Sequence, residues 1–130
     1  MRFEPISQGE TRRLLGSMAG NPKWDPLGLA SIESTIGNGG GYMVKDDTGP
    51  LLVVVVQVID HARGRELVVR VAHQVRAGRD LTGEVLPHIE RVFGIGCAVV
   101  TIVTKRPGLV RKLERAGYGE SAKIMRKNLK

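Results

Sequence analysis

The sequence is poor in the residue types that most often announce a chemistry. Of its 130 residues one is cysteine and only 4% are aromatic. Cys97 alone closes no internal disulfide, which fits a reducing cytoplasm better than secretion. It lies between Gly96 and an apolar run, so it reads as core. So few aromatics leave the core to Val, Leu, Ile, Ala and Met, and count against the base-stacking platforms of a single-strand nucleic-acid binder. Long apolar runs are also missing: the longest, Leu51 to Val56, continues through Gln57 to Ile59, nine residues in all. That is too short to cross a bilayer as a helix, so no membrane association is expected. The N-terminus, MRFEPISQGE, has no apolar h-region, so no signal peptide is expected either. His61, His73 and His88 are spaced by 12 and 15 residues and, with one cysteine, form no zinc set; no metal is expected. The stretch GNGGGY has no trailing Gly-Lys-Ser/Thr, and no serine sits in a Gly-x-Ser-x-Gly elbow, which excludes a P-loop and a nucleophile elbow.

What is present is an ordinary globular composition, 42% apolar and 25% charged, in a length that accommodates one core. Residues 1–130 therefore read as a single domain. The net charge of +7 is unevenly spread. Met1 to His61 carries 5 basic and 7 acidic residues, whereas Ala62 to Lys130 carries 15 basic and 6 acidic. The second half is either a solvated basic face or the part that attracts an anion.

Periodicity divides the chain into short elements. Arg2–Ser7 reads as a first strand, and 11–18 and 26–36 have helix-like apolar spacing. Between those helices Trp24 either packs on the sheet or forms the lip of a cleft. Tyr42 to Lys45 is a short strand; after the turn DDTGP, the β-branched run Leu51 to Ile59 predicts a central strand covered on both faces. A second turn, DHARGR, leads into a hairpin partner at Leu67 to Val75. Leu81, Val85, Ile89, Val92 and Phe93 then share one helical face. If that helix begins at Thr82, Pro87 falls just past its first turn, so a later start or a kink is expected. Ala98 to Val103 reads as a second buried strand, Leu109 to Ala116 as an amphipathic helix closed by Gly117, and Ser121 to Lys127 as a last strand. The order β-α-α-β-β-β-α-β-α-β implies an α/β (α+β) domain with a mixed sheet flanked by helices.

Two stretches carry a family resemblance. The ending KRPGLVRKLERAGYGESAKIMRKNL resembles that of the GNAT N-acetyltransferases, in which a helix closes with a glycine and an aromatic, here Gly117 and Tyr118, before a last strand. In that arrangement Leu109, Val110, Leu113 and Ala116 face inward and Tyr118 tucks under the sheet. The stretch VAHQVRAGRDLTGEVLPHIERVF is similar to the family's fourth strand, pyrophosphate loop and following helix. The two matches cover 51–130, while the first fifty residues match only in element order. A narrower resemblance is to small phage-encoded GNAT-like proteins, which would be compatible with virion assembly or modification of a phage or host protein.

The resemblance implies acetyl-coenzyme A as cosubstrate and an amine-bearing acceptor. It implies phosphate contacts from Arg76, Gly78, Arg79, Leu81 and Thr82, where a helix N-terminus offers unpaired donors and a positive dipole end, and a pantetheine groove along Val71, His73 and Val75. The loop departs from the family's spacing by about one residue. The position of the family's acid tyrosine is Leu113, and an upstream asparagine position that helps hold the cofactor or amine is Arg106. Glu66 and His73 are the candidate general bases, and His73 lines the groove in the other reading of it. The resemblance leaves two functions open: an N-acetyltransferase in which the amine attacks the thioester directly, or a catalytically inactive GNAT-fold protein that uses its basic half to hold nucleic acid, an acidic protein or a virion partner.

Overall fold

The computed structural model describes residues 1–16, 39–76 and 78–129. The expected second helix and Trp24 lie outside the described residues. Within them the order is β1 (Arg2–Ile6), α1 (Gln8–Leu15), β2 (Gly40–Asp46), β3 (Gly49–His61), β4 (Gly64–Gln74), α2 (Thr82–Phe93), β5 (Val99–Thr101) and α3 (Pro107–Arg115). The strands form one sheet in sequence order, antiparallel from β1 to β4 and parallel between β4 and β5. The parallel step is a result of connectivity, because α2 carries the chain back across the sheet before β5 begins.

β3 is central because its side chains tolerate burial on both sides. Leu51 through Val56 are all buried, and from Leu52 onward alternate residues serve opposite cores. Val53 and Val55 meet Val71 and Leu15 of α1, whereas Leu52, Val54 and Val56 meet Val69, Leu81, Val85, Leu86, Ile89 and Leu113. Helix α1 is fixed at its start by Ser7, whose Oγ accepts from the Glu10 backbone N–H at 3.1 Å. Thr11, 1% exposed, donates from Oγ1 to the Ser7 carbonyl at 2.8 Å and packs onto β2. On the other face Phe93 closes α2 against the first strands, its ring 5.3 Å from Phe3 and 4.6 Å from Tyr42.

An irregularity in β4 sets the direction of the strand beyond it. Val55 pairs with Val71 but the next residue, Val56, pairs with Val69, so Arg70 is an extra residue on β4. The extra residue reverses the alternation: Val69 faces the α2 core and Val71, two positions on, faces the α1 core. Arg70 itself points outward, its Nε and Nη2 donating to Gln57 Oε1 at 3.0 and 2.7 Å. β5 pairs with β4 only at Glu66, Leu67 and Val68, and beyond them the outer edge of β4 has no strand partner among the described residues.

Several expectations are corrected. The strand expected to be buried over Ala98 to Val103 is three residues long and partly exposed, with Val99 at 55%. Ser121–Lys127 runs without strand pairing. Its alternate positions 122, 124 and 126 are Ala, Ile and Arg, leaving a single large apolar side chain for any core-facing side, and Ile124 stays 59% exposed. Helix α2 does not start late but begins at Thr82 and runs through Pro87; the missing N–H leaves only the exposed first-turn Gly83 carbonyl without its intrahelical donor, where water can serve. In α3, Leu113 is buried and Leu109 half-buried, but Val110 and Ala116 are exposed, because only one stripe of this terminal helix meets the core. The helix ends as expected: Gly117 takes φ +94°, its N–H donates to the Glu114 carbonyl at 3.1 Å, and the Tyr118 N–H reaches the Leu113 carbonyl at 2.9 Å, the Schellman pattern.

Gly41 marks the closest approach of α1 to the sheet, since a Cβ there would sit 2.4 Å from Thr11 Oγ1. Gly41→Ala is expected to destabilise the protein by about 1–3 kcal/mol, because Thr11 can retreat only by giving up its bond to Ser7. The midpoint of urea denaturation measures this, and an unchanged midpoint would contradict it.

Candidate functional site

Past Val68 and Thr101 the two parallel strands separate, and a cleft of about 510 Å3 opens between them. One wall is the β4 edge from Val69 to Gln74. The other is the β5–α3 connection and α3, with Ile102, Val103, Arg106, Leu109 and Lys112. Its end is the loop after β4 and the start of α2, with Arg79, Asp80, Leu81 and Thr82. The floor is apolar, made by Leu52, Val85, Leu86, Ile89 and Leu113 of the main core. Chemically this is an elongated groove with an exposed peptide edge on one side and cations and a helix N-terminus at its rim.

The loop is shaped by its own side chains. Gln74 donates from Nε2 to the carbonyls of Arg79 at 2.7 Å and Arg76 at 3.3 Å, and the N–H groups of Val75 and Arg76 both reach the Leu51 carbonyl. Gly78 takes φ +94° within this loop. The N-cap of α2, Leu81, has no side-chain acceptor, and the Thr82 N–H donates instead to Asp80 Oδ1 at 3.3 Å. Asp80 in turn pairs with Lys112 at 3.4 Å, tying the loop to α3 across the cleft.

The two loop arginines are already engaged by a carboxylate from the β2–β3 turn. Arg76 donates from Nη2 to Asp46 Oδ1 at 3.1 Å and Arg79 from Nη1 to Asp46 Oδ2 at 2.8 Å. Arg76 also donates to Thr48 Oγ1, and Arg79 to Glu84. Thr48 donates to Asp46 from both its backbone N–H, at 2.8 Å, and its hydroxyl, at 2.6 Å. These bonds, the Thr48 hydroxyl first and Arg79 next, hold the Asp46 carboxyl well below the usual range, and Asp46 with Glu84 raises the Arg79 guanidinium. Two guanidinium charges therefore face two carboxylates.

Of the candidate residues, Val71, His73, Arg79, Leu81, Thr82 and Arg106 line the cleft, while Val75, Arg76 and Gly78 belong to the adjoining loop without lining it. Glu66 lies elsewhere, on the paired end of β4. Its carboxyl is held low by Thr101 first and then by His61, whose Nε2 is 2.8 Å away. Sequence reasoning missed Asp46, Lys112 and Asp80 as parts of the site. The only local signal was the Asp-Asp-Thr-Gly turn, which announces a turn without announcing a partner some 30 residues on.

A second cavity, about 750 Å3, separates β5 from the chain end and is lined by Thr101, Lys105, Tyr118 and Ile124 among others. Tyr118 sits at its edge, packed on the core and donating to Glu90 Oε2 at 3.2 Å; burial first, then the Glu90 charge, pushes its phenol up. Leu113 borders both cavities. Among the described residues no helix is long and apolar enough to cross a membrane, and no three His, Cys, Asp or Glu side chains converge as metal ligands.

No protein-family model matches the sequence, and no curated protein does. Solved structures match over nearly the full length. A glucosamine-6-phosphate N-acetyltransferase from Arabidopsis thaliana superposes with TM-score 0.60 at 15% identity, covering 99% of this chain and 98% of that one. The enzyme AAC(6')-Iy, in complex with the bisubstrate analogue CoA-S-monomethyl-acetylneamine, superposes with TM-score 0.60 at 12% identity, covering 99% and 97%. A transcriptional regulator from Bacillus halodurans C-125 superposes with TM-score 0.65 at 14% identity, covering 98% and 99%. At such identities the likeness concerns the fold: the mixed five-stranded sheet flanked by helices is that of the GNAT acetyltransferases.

The Asp46 bridge has a consequence for acid stability. A carboxyl held low in the folded state contributes stability above its ordinary value of 3.8 and loses it as the pH falls through the folded value. Asp46→Asn is therefore expected to be less stable than the parent at pH 7, with the gap between them narrowing below about pH 4. Thermal melts at stepped pH measure the gap; one that stays constant on acidification would contradict the bridge.

Proposed function

We propose that the cleft binds acetyl-coenzyme A and that the protein transfers the acetyl group to an amine by direct attack on the thioester. The observation that carries this reading is the separation of β4 from β5 at the Arg70 bulge, which leaves a peptide edge along a groove leading to the N-terminus of α2. The amide-bearing pantetheine arm has the chemistry to add to that edge as a strand would. The phosphates would lie at the loop and the first turn of α2, where Asp80 takes the Thr82 N–H and Leu81 brings no side-chain acceptor for the N–H groups that follow. Val71, His73, Leu81, Thr82 and Arg106 would line the ligand, with Val75, Arg76, Gly78 and Arg79 framing its phosphate end.

In the reaction the amine nitrogen bonds to the thioester carbonyl carbon, the C–S bond breaks, and the thiolate leaves. The amine proton passes to a base and the thiolate takes up a proton. His73, half-buried on the cleft wall, is the base this reading prefers, because Glu66 does not border the cleft. Leu113 offers no acid at the groove floor, so the rate would rest chiefly on holding the two reactants together. The similar structures of an aminosugar phosphate enzyme and of an enzyme with an aminoglycoside analogue make amine-bearing sugars reasonable first acceptors to try.

A second reading is favoured by the charge distribution. Residues 105–127 carry eight basic and two acidic residues, while the loop arginines are compensated. A non-catalytic protein holding nucleic acid or an acidic protein on α3 and the chain end would use that surface, and its affinity would fall steeply with salt.

Isothermal titration with coenzyme A separates the two. The first reading expects saturable one-site binding; no heat at millimolar ligand would overturn it. It also expects Arg79→Ala to weaken binding by roughly tenfold or more, because the change removes a cation and leaves Asp46 and Glu84 without it. An unchanged affinity would move the phosphates away from this loop.

A further inference from the structure

The loop that sequence marks for an anion already holds one, supplied by the chain itself. The carboxylate of Asp46 spans both arginines, one oxygen to Arg76 and the other to Arg79. A phosphoryl group presents the same two-oxygen face to a pair of guanidiniums. Asp46 is held in that pose by two bonds from Thr48, so the β2–β3 turn, rather than a mobile side chain alone, carries it. Glu84 supplies a second carboxylate to Arg79. The resting arrangement is not fully satisfied: Arg76 Nε is buried and has no hydrogen-bond partner among the described residues.

From this we infer that Asp46 is a specificity-determining residue, an internal competitor that a ligand phosphate must displace from Arg76 and Arg79 before it can use them. The inference rests on the coenzyme A reading of the cleft and deepens it. With both guanidiniums compensated, a singly charged anion brings no more than Asp46 already provides, so its exchange gains little. Two adjacent phosphates bring more charge, and oxygens beyond the two that Asp46 or a single phosphoryl group presents to the pair. The site therefore discriminates in favour of diphosphate-bearing ligands, and does so by subtraction, through a carboxylate that raises the threshold for anions in general. Displacement also frees the guanidinium of Arg76 to turn and satisfy its Nε.

The test is calorimetric titration of inorganic pyrophosphate, orthophosphate and coenzyme A into the full-length protein, Asp46→Asn and Glu84→Gln at low ionic strength. Asp46→Asn is expected to bind pyrophosphate and coenzyme A about threefold to tenfold more tightly, and to lose part of the preference for pyrophosphate over orthophosphate. The gain should shrink as salt is raised. Glu84→Gln, an exposed change in the first turn of α2, should tighten binding in the same direction but less, and it keeps the inference testable if Asp46→Asn does not fold. Unchanged or weaker pyrophosphate binding by folded Asp46→Asn would overturn the inference. Coenzyme A that binds parent and Asp46→Asn equally would sink it too, while leaving the coenzyme A reading standing. Tighter pyrophosphate binding with no coenzyme A binding by any variant would do the reverse.

Discussion

The structure turns on a single extra residue in β4. Without Arg70 between Val69 and Val71, the strand would alternate evenly and could continue to pair with β5 along its length. With it, the valines on either side serve different cores, so each stretch of β4 is anchored by burial on its own face and the bulge cannot slide by one residue without exposing both. Fully burying each side chain is worth roughly 1.5–3 kcal/mol, which makes the bulge a fixed feature. The bulge turns β4 away from β5, and the cleft is the space that divergence opens. Helix α2 lies across the same core with its N-terminus at the cleft, because Val85, Leu86 and Ile89 are buried against the sheet.

Electrostatics adjust what the backbone has built. The second half of the chain is strongly basic in sequence, yet at the cleft the cations are largely answered: Asp46 and Glu84 meet the two loop arginines, and Asp80 meets Lys112. The excess of basic residues is concentrated instead toward α3 and the chain end. The net charge therefore says little about how the cleft itself greets an anion. Local pairing decides that, at distances well inside the screening length.

The fold likeness has the same limit. A sheet and helices that superpose with two acetyltransferases and equally well with a transcriptional regulator carry no function by themselves. What distinguishes this chain are its own side chains in the shared frame: Leu113 on the groove floor, Arg106 at the start of α3, His73 on the β4 wall, and an acidic turn against the loop.

Much of the fold was legible in the sequence because it depends on local pattern. The β-branched run of β3, the spacing of Val85, Ile89 and Phe93 in α2, and Gly117 closing α3 each act within a turn or a strand, so periodicity and backbone preference sufficed. The misread elements were those whose fate depends on a neighbour: Ser121–Lys127 had strand-like residues but no apolar face to bury, and Val99–Thr101 proved short because β4 bends away. The cleft was legible as a stretch, Arg76 to Thr82 beside Val71 to Val75, and the sequence by itself determined that these residues would be adjacent and that a helix would follow them, whereas its start at Thr82 ahead of Pro87 was decided by the structure. Tertiary structure alone decided that the arginines would be held by Asp46 and that Glu66 would be left outside. Those outcomes rest on a strand bulge and on a turn brought alongside by hairpin pairing, contacts between residues about 30 positions apart that leave no trace in local spacing.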